Sequence, residues 1–278
     1  IELLDPVCQE DVIHVIHRLK QPVFARRIVY TNQYVGSVLS GDINLGDVES
    51  YSELRFVLTG VELEGFALDG GRQRLVGDTL TVQQEDRRAL QPDYDDLPFP
   101  RMEFLEYLAP EPLIQSDDER IAQEAERIAR WRTYGRNDPL RVAQRLTSGV
   151  HGMLDKQITF SIPNAVQVLE SRRGDCNEHT VLFVAMARSL GLPARTAVGL
   201  VYVDGAFFYH AWPEVWLGQW VAADPTFGQF PADAAHLRFV TGGLAQQVEI
   251  VRLIGNLDIE VLLPPSSDQG DPRNEGGV

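Results

Sequence analysis

Cysteine is scarce: the 278 residues hold two, Cys8 and Cys176. That excludes a disulfide framework or a zinc site of several thiolates, and leaves at most one bridge, which would consume the Cys176 thiol. Basic charge is scarce too, with 25 Lys and Arg against 40 Asp and Glu and a formal charge of −15. This balance opposes phosphate backbones and anionic membrane surfaces, and the pairs Arg26-Arg27 and Arg172-Arg173 are too scattered to make a patch, so nucleic acid is set aside as a partner. No run approaches the roughly 18 apolar residues of a membrane-spanning helix. The chain opens on Ile1 without a charged-then-apolar export segment. The expectation is a soluble segment trimmed from a longer chain, the exported part of a bacterial protein whose N-terminus was removed; compartment and oligomeric state stay open. There is no internal repeat, and no segment has the alternating acidic ligands of a calcium loop.

What is present is a 44% hydrophobic chain, enough for real cores. Residues 1–108 read as a β-rich N-terminal module: RRIVYT from Arg26, ELRFVLTGVELEGFAL from Glu53, the turn Asp69-Gly70-Gly71 and RLVGDTLTVQQ from Arg74, with a short helix at 10–19. Residues 109–138, after the acidic, proline-rich QPDYDDLPFP, form a linker and lead-in helix opened by a capping-box pattern at Ser116 to Glu119. Residues 139–263 form an α+β domain. In it, helices begin at Pro139 and Asn164, the latter ending at Gly174, strands return between Arg195 and Asp224, and VEIVRLIGNLDIEVLL adds one or two more. The tail 264–278 lacks apolar residues to bury and is expected to be disordered.

GDCNEHTVLFVAMARSLG from Gly174 is an apolar helix with clear ends. Asp175 is the N-cap, Glu178 completes a capping box, and Gly191 is the stop. Cys176 falls in the first turn, where free N–H groups and the positive end of the helix dipole favour a thiolate and can stabilise an oxyanion. A free cysteine is also a common small buried hydrophobe, so the partners decide.

Of six histidines, His14 and His17 fall on a surface helix, and His151 and His236 in turn-like contexts. His179, three residues from Cys176 on the same helix, leaves little room for substrate and reads as a packing residue. His210 sits instead in a β, aromatic segment, GAFFYHAWPEVWLGQWVAADPT, whose return strand ends at Asp224-Pro225. A strand-end carboxylate beside a strand histidine can fix its tautomer. Register constrains this pair. A two-residue loop at Gly218-Gln219 puts Asp224 on the face away from His210, whereas a three-residue loop, Leu217 to Gln219, sets Asp224 opposite Trp212 and restores a shared face. An odd loop or a bulge is therefore predicted. Trp212, Trp216, Phe207 and Tyr209 read as core and cleft wall.

GDCNEHTVLFVAMARSLGLPAR, YHAWPEVWL and GQWVAADPT, in that order, resemble the transglutaminase-like family of the papain-like cysteine hydrolases and acyltransferases, over about residues 139 to 260. The resemblance implies a papain-like α+β core in which Cys176 is the nucleophile, His210 the general base and acid, and Asp224 the orienting carboxylate. It further implies attack on a protein or peptide amide, a thioester, and transfer to water or an amine, as in a protease, deamidase or transglutaminase. No cofactor and no metal are called for. The Cys176 N–H is one oxyanion donor; the second is not identified, because Glu170, whose carboxylate only accepts, stands where papain-like proteases place a glutamine donor. Two alternatives stay open: a zinc site of Cys176, His179, His210 and Asp224, and a non-catalytic binding module that retains the fold.

Overall fold

The computed structural model describes residues 45, 47–94, 96–129, 137–157, 164–253 and 256–262. Cys8, the expected helix at 10–19, the strand from Arg26 and the tail 264–278 lie outside the described residues.

The first sheet contains β1 (Glu53–Thr59), β2 (Gln73–Val76) and β3 (Thr79–Gln83). Its fourth member is β10 (Asp258–Leu262), in the antiparallel order β10-β1-β3-β2. A seven-residue strand replaces the long β stretch expected from Glu53: Gly60, at φ +83°, ends it in a backbone region most side chains avoid. Alternation in β1 buries Leu54, Phe56 and Leu58 and exposes Glu53, Arg55 and Thr59. VEIVRLIGNLDIEVLL divides differently from the expectation. Its first part is a 3₁₀ helix, Val248–Leu253, and only its end is β10. Ile250 and Leu253, three apart, are both buried, the spacing of a helical turn, which the β-branched content concealed.

The helices are α1 (Leu105–Leu108), α2 (Glu119–Ala129), α3 (Pro139–Met153), α4 (Ala165–Ser171), α5 (Cys176–Ser189) and α6 (Leu244–Gln247). Asp118, not Ser116, caps α2, its Oδ1 accepting from Arg120 N at 2.9 Å. Asn164 caps α4 in a capping box with Gln167, and the helix stops at Ser171 rather than Gly174, because Arg172 adopts a left-handed conformation at φ 52°. Two short parallel strands follow from this break, β4 (Asp155–Lys156) and β5 (Arg173–Gly174), and they deliver the chain to α5. Residues 182–187 of α5 are all fully buried, so it is the central helix of its core, packed among α2, α3, α4 and the second sheet. Among the described residues no helix is long and apolar enough to cross a membrane.

The second sheet contains β6 (Ala194–Val203), β7 (Ala206–Trp216), β8 (Trp220–Ala222) and β9 (His236–Thr241), antiparallel in the order β8-β7-β6-β9. Leu54, Phe56 and Leu58 of β1 share one core with Leu200, Phe207, Leu237 and Phe239, and Phe56 meets Phe207 edge-on at 5.8 Å. The structure is thus mixed α and β, with a β-rich N-terminal segment stacked on the second sheet and closed by a strand from residues 258–262. Because this core is shared, Phe56→Ala is expected to cost about 3–5 kcal/mol. Urea unfolding should shift as a single transition; a separate early phase with the rest of the curve unmoved would show independent cores.

Candidate active site

Cys176 opens α5, and the local sequence explains why the helix starts there. Asp175 Oδ1 accepts from Asn177 N at 3.0 Å, while Glu178 folds back so that its Oε2 accepts from Asp175 N at 2.9 Å. The expected capping box is present. A Cβ at residue 174 would lie 2.2 Å from Glu178 Cβ, so glycine precedes Asp175 because the returning Glu178 occupies that space. The half-buried Cys176 packs beside Tyr209 of β7 at the edge of the shared core. Tyr209 OH donates to Asn177 Oδ1 at 3.2 Å, tying the first turn of α5 to the residue next to His210. Burial first, then the charges of Cys176 and Asp175, push the Tyr209 phenol well above its ordinary value.

β7 and β8 meet through a three-residue loop, as the shared-face argument requires. Trp216 pairs with Trp220, Val215 with Val221 and Glu214 with Ala222. In the same register Ala223 N donates to Pro213 O at 2.9 Å, which sets Asp224 against Trp212 and on the His210 face. His210 Nε2 lies 2.7 Å from Asp224 Oδ2, both buried. An ionised carboxylate only accepts, so Nε2 carries the hydrogen and Nδ1 is the nitrogen left to exchange a proton. Asp224 Oδ1 accepts from Thr226 N at 2.7 Å and Phe227 N at 3.0 Å, the turn written as Asp-Pro-Thr.

Sequence reasoning missed the supporting roles of four residues, His236, Asp233, His151 and Phe227. His236, the first residue of β9, places Nε2 2.9 Å from the same Asp224 Oδ2 and Nδ1 2.8 Å from Asp233 Oδ1. Its one sequence signal is an aspartate three residues ahead of a histidine at the start of a β run. His151, near the end of α3, holds the 225–226 turn through Nδ1, 3.1 Å from Pro225 O. Phe227, 41% exposed, stacks on His210 at 5.0 Å and 15°. Phe227 also lines a surface groove with Tyr202 and Gln229, whereas Trp212, stacked at 5.9 Å, is fully buried core. His179 is packing as expected, Nδ1 2.6 Å from Asp175 O, and burial pushes its imidazole down.

β9 reaches this cluster through a bulge. The register of β6 and β9 shifts between Val198 and Gly199, and a Cβ on Gly199 would lie 1.9 Å from Leu237 O, so only glycine fits. On the same face, the fully buried Glu214 binds Arg238 Nη1 at 3.0 Å and Arg195 at 2.6 Å. Burial alone would raise Glu214, but Arg238 and Arg195 hold it below its ordinary value. Arg238 also donates to Ala67, Asp69 and Gly70 carbonyls, pinning the N-terminal loop.

Burial would likewise raise Asp224, yet His210 and His236 hold it well below 3.8. Burial would lower His236, but hydrogen bonds to Asp224 and Asp233 carry it up from 6.5 to about 9. The proposed zinc set does not gather, since His179 turns to a backbone carbonyl. His210, Asp224 and His236 instead bring donor atoms within 4.8 Å of one another, at hydrogen-bonding distances to one oxygen.

A capped cysteine helix packed against a sheet bearing a buried His-Asp pair gives a mixed α and β arrangement. Residues 122–225 match the family model described as the transglutaminase-like superfamily. The match begins inside α2, earlier than the expected residue 139, and ends just past Asp224. Among solved structures the chain is similar to a candidate cysteine protease of Cytophaga hutchinsonii, with 16% identity, 75% of this chain and 80% of that one covered, and TM-score 0.47. It is also similar to the periplasmic domain of TgpA from Pseudomonas aeruginosa, with 16% identity, 65% and 72% covered, and TM-score 0.41. A third likeness is red sea bream transglutaminase, with 16% identity, 63% and 45% covered, and TM-score 0.36. No curated protein matches the chain.

Two outcomes follow. Gly174→Ala forces Glu178 out of the cap and should cost about 1–3 kcal/mol in urea unfolding, partly recovered in Gly174→Ala/Glu178→Ala; an unchanged midpoint would refute the folded-back cap. His236 is raised in the folded chain, so its stabilisation is full below pH 6.5 and disappears as pH rises through about 9. Asp224, Asp233 and Glu214 are depressed, so theirs is present above their ordinary values and lost in acid. The urea midpoint should therefore fall on both sides of neutrality, and the alkaline fall should be absent in His236→Gln.

Proposed function

We propose that the chain is a cysteine-dependent enzyme acting on a protein or peptide amide, with Cys176 as nucleophile, His210 as general base and acid, and Asp224 as the orienting carboxylate. The observation that carries this reading is the His210–Asp224 hydrogen bond of 2.7 Å, formed in the register that the chemistry requires, with the adjacent Tyr209 bonded to Asn177 in the first turn of the cysteine helix.

In this reading the Cys176 thiolate adds to the amide carbonyl, forming a C–S bond and an oxyanion held by the Cys176 N–H at the positive end of α5. His210, protonated at Nδ1, gives that proton to the leaving amine as the C–N bond breaks, leaving a thioester. Water or an amine then attacks, His210 takes its proton at Nδ1, and the C–S bond breaks to release the thiolate beside a protonated His210, the starting pair. Asp224 keeps Nε2 occupied throughout, so Nδ1 faces the chemistry. Phe227, whose ring stacks on His210, also lines a groove of about 340 Å³ together with Val201, Tyr202, Asp204, Gln229 and Asp233.

The test is the rate of iodoacetamide alkylation at Cys176 against pH, read by peptide mass spectrometry with Cys8 as internal control. Alkylation should persist well below pH ~8.5, the free-thiol value, and weaken in His210→Ala. A Cys176 that titrates like a free thiol regardless of His210 would favour a binding module that keeps the fold without the chemistry.

A further inference from the structure

Asp224 Oδ2 accepts from two imidazoles, His210 Nε2 at 2.7 Å and His236 Nε2 at 2.9 Å. His236 is fully buried, and its second nitrogen, Nδ1, is 2.8 Å from Asp233 Oδ1. Both ring nitrogens therefore face carboxylate oxygens, which when ionised only accept, so both must carry hydrogen. By geometry alone His236 is an imidazolium set between two carboxylates, with its ring centroid 5.6 Å from that of His210.

We propose that His236 is a positioning residue: a buried fixed cation that clamps Asp224 Oδ2 toward His210 and, by sharing that oxygen, limits how firmly Asp224 holds a proton on His210. The proposal deepens the reading of His210 as the general base and rests on it.

A base must take and release a proton near the working pH, and a buried carboxylate acting alone would hold the imidazolium too tightly for release. A second donor on the same oxygen, carrying a positive charge, opposes that excess. The surroundings of His236 keep its charge in place. Asp224 faces it from the turn after β8 and Asp233 from the turn before β9. His210 faces it from β7, and the rings of Trp212 at 5.3 Å and Phe227 at 6.3 Å close the remainder. Farther along the face, Arg238 is neutralised by Glu214, and Arg72 is bonded to Asp233 O at 2.5 Å and lies 3.5 Å from Glu85. From α5, His179 lies within reach of the Asp224 charge, and burial pushes it down, toward its neutral form. The upward displacement of His236, to about 9, agrees with a cation that persists through neutral pH.

The experiment is a ¹H–¹⁵N titration of the histidine rings in the full chain, with His210 assigned from a His210→Ala spectrum. In His236→Gln, which keeps one donor but no charge, the His210 midpoint should rise, since the cation that disfavours its imidazolium is gone. A midpoint that stays or falls overturns the proposal, because a packing role lets Asp224 drift from His210 and lowers it. If His236→Gln does not fold, Asp233→Asn keeps the ring and removes one carboxylate. His236 should then lose its proton nearer neutrality and the His210 midpoint should rise. In the unaltered chain, a His236 that titrates at the ordinary histidine value would also overturn the clamp. Cys176 alkylation on the same samples separates the two readings: an inert Cys176 with an upward His210 shift removes the enzyme and supports the clamp.

Discussion

A carboxylate taken wholly out of water must be satisfied on every lone pair, and Asp224 is such a group. Thr226 N and Phe227 N take one oxygen, His210 and His236 the other. Much of the architecture reads as the means of bringing those four donors together. A three-residue loop turns Asp224 onto the His210 face, His151 steadies the turn from behind, and the bulge at Gly199 lets β9 close in with His236. Losing one donor leaves a charge without compensation, so the cluster stands or falls as a unit.

The N-terminal segment is part of that support. Arg72 donates to Asp233 O, and Glu85 Oε1 accepts from Ala222 N, so the end of β8 before Asp224 and the turn before His236 are held by residues flanking β2 and β3. Arg238 reaches the other way, from β9 to the carbonyls of residues 67–70. The β-rich segment is thus in direct contact with the turns that carry the candidate site, two residues from Asp224 at Ala222 and at Asp233 itself.

What the sequence made legible were features with local grammar. The cap around Cys176 is written in Gly174, Asp175 and Glu178, and the hairpin register followed from asking which loop length lets His210 and Asp224 share a face. The features it concealed depend on chain crossings. His236 looks like a turn residue until β6 brings β9 beside β7, and His151 gains a role only when α3 ends under the 225–226 turn. Phe227 escaped because a single aromatic after Asp-Pro-Thr carries no pattern. The 3₁₀ helix at Val248–Leu253 was hidden because its β-branched residues favour strands and its buried pair spans only three positions.

The pairing of β1 with β10 sets Arg55 opposite Leu262. A ribosome therefore finishes almost the whole described chain before the partner of β1 exists. Until then one side of β1 is an open row of amide donors and acceptors, the kind of edge that recruits other chains. The exposed charges of Glu53 and Arg55 along that strand are suited to this interval, since they discourage stray pairing without occupying the core side where Leu54, Phe56 and Leu58 await closure.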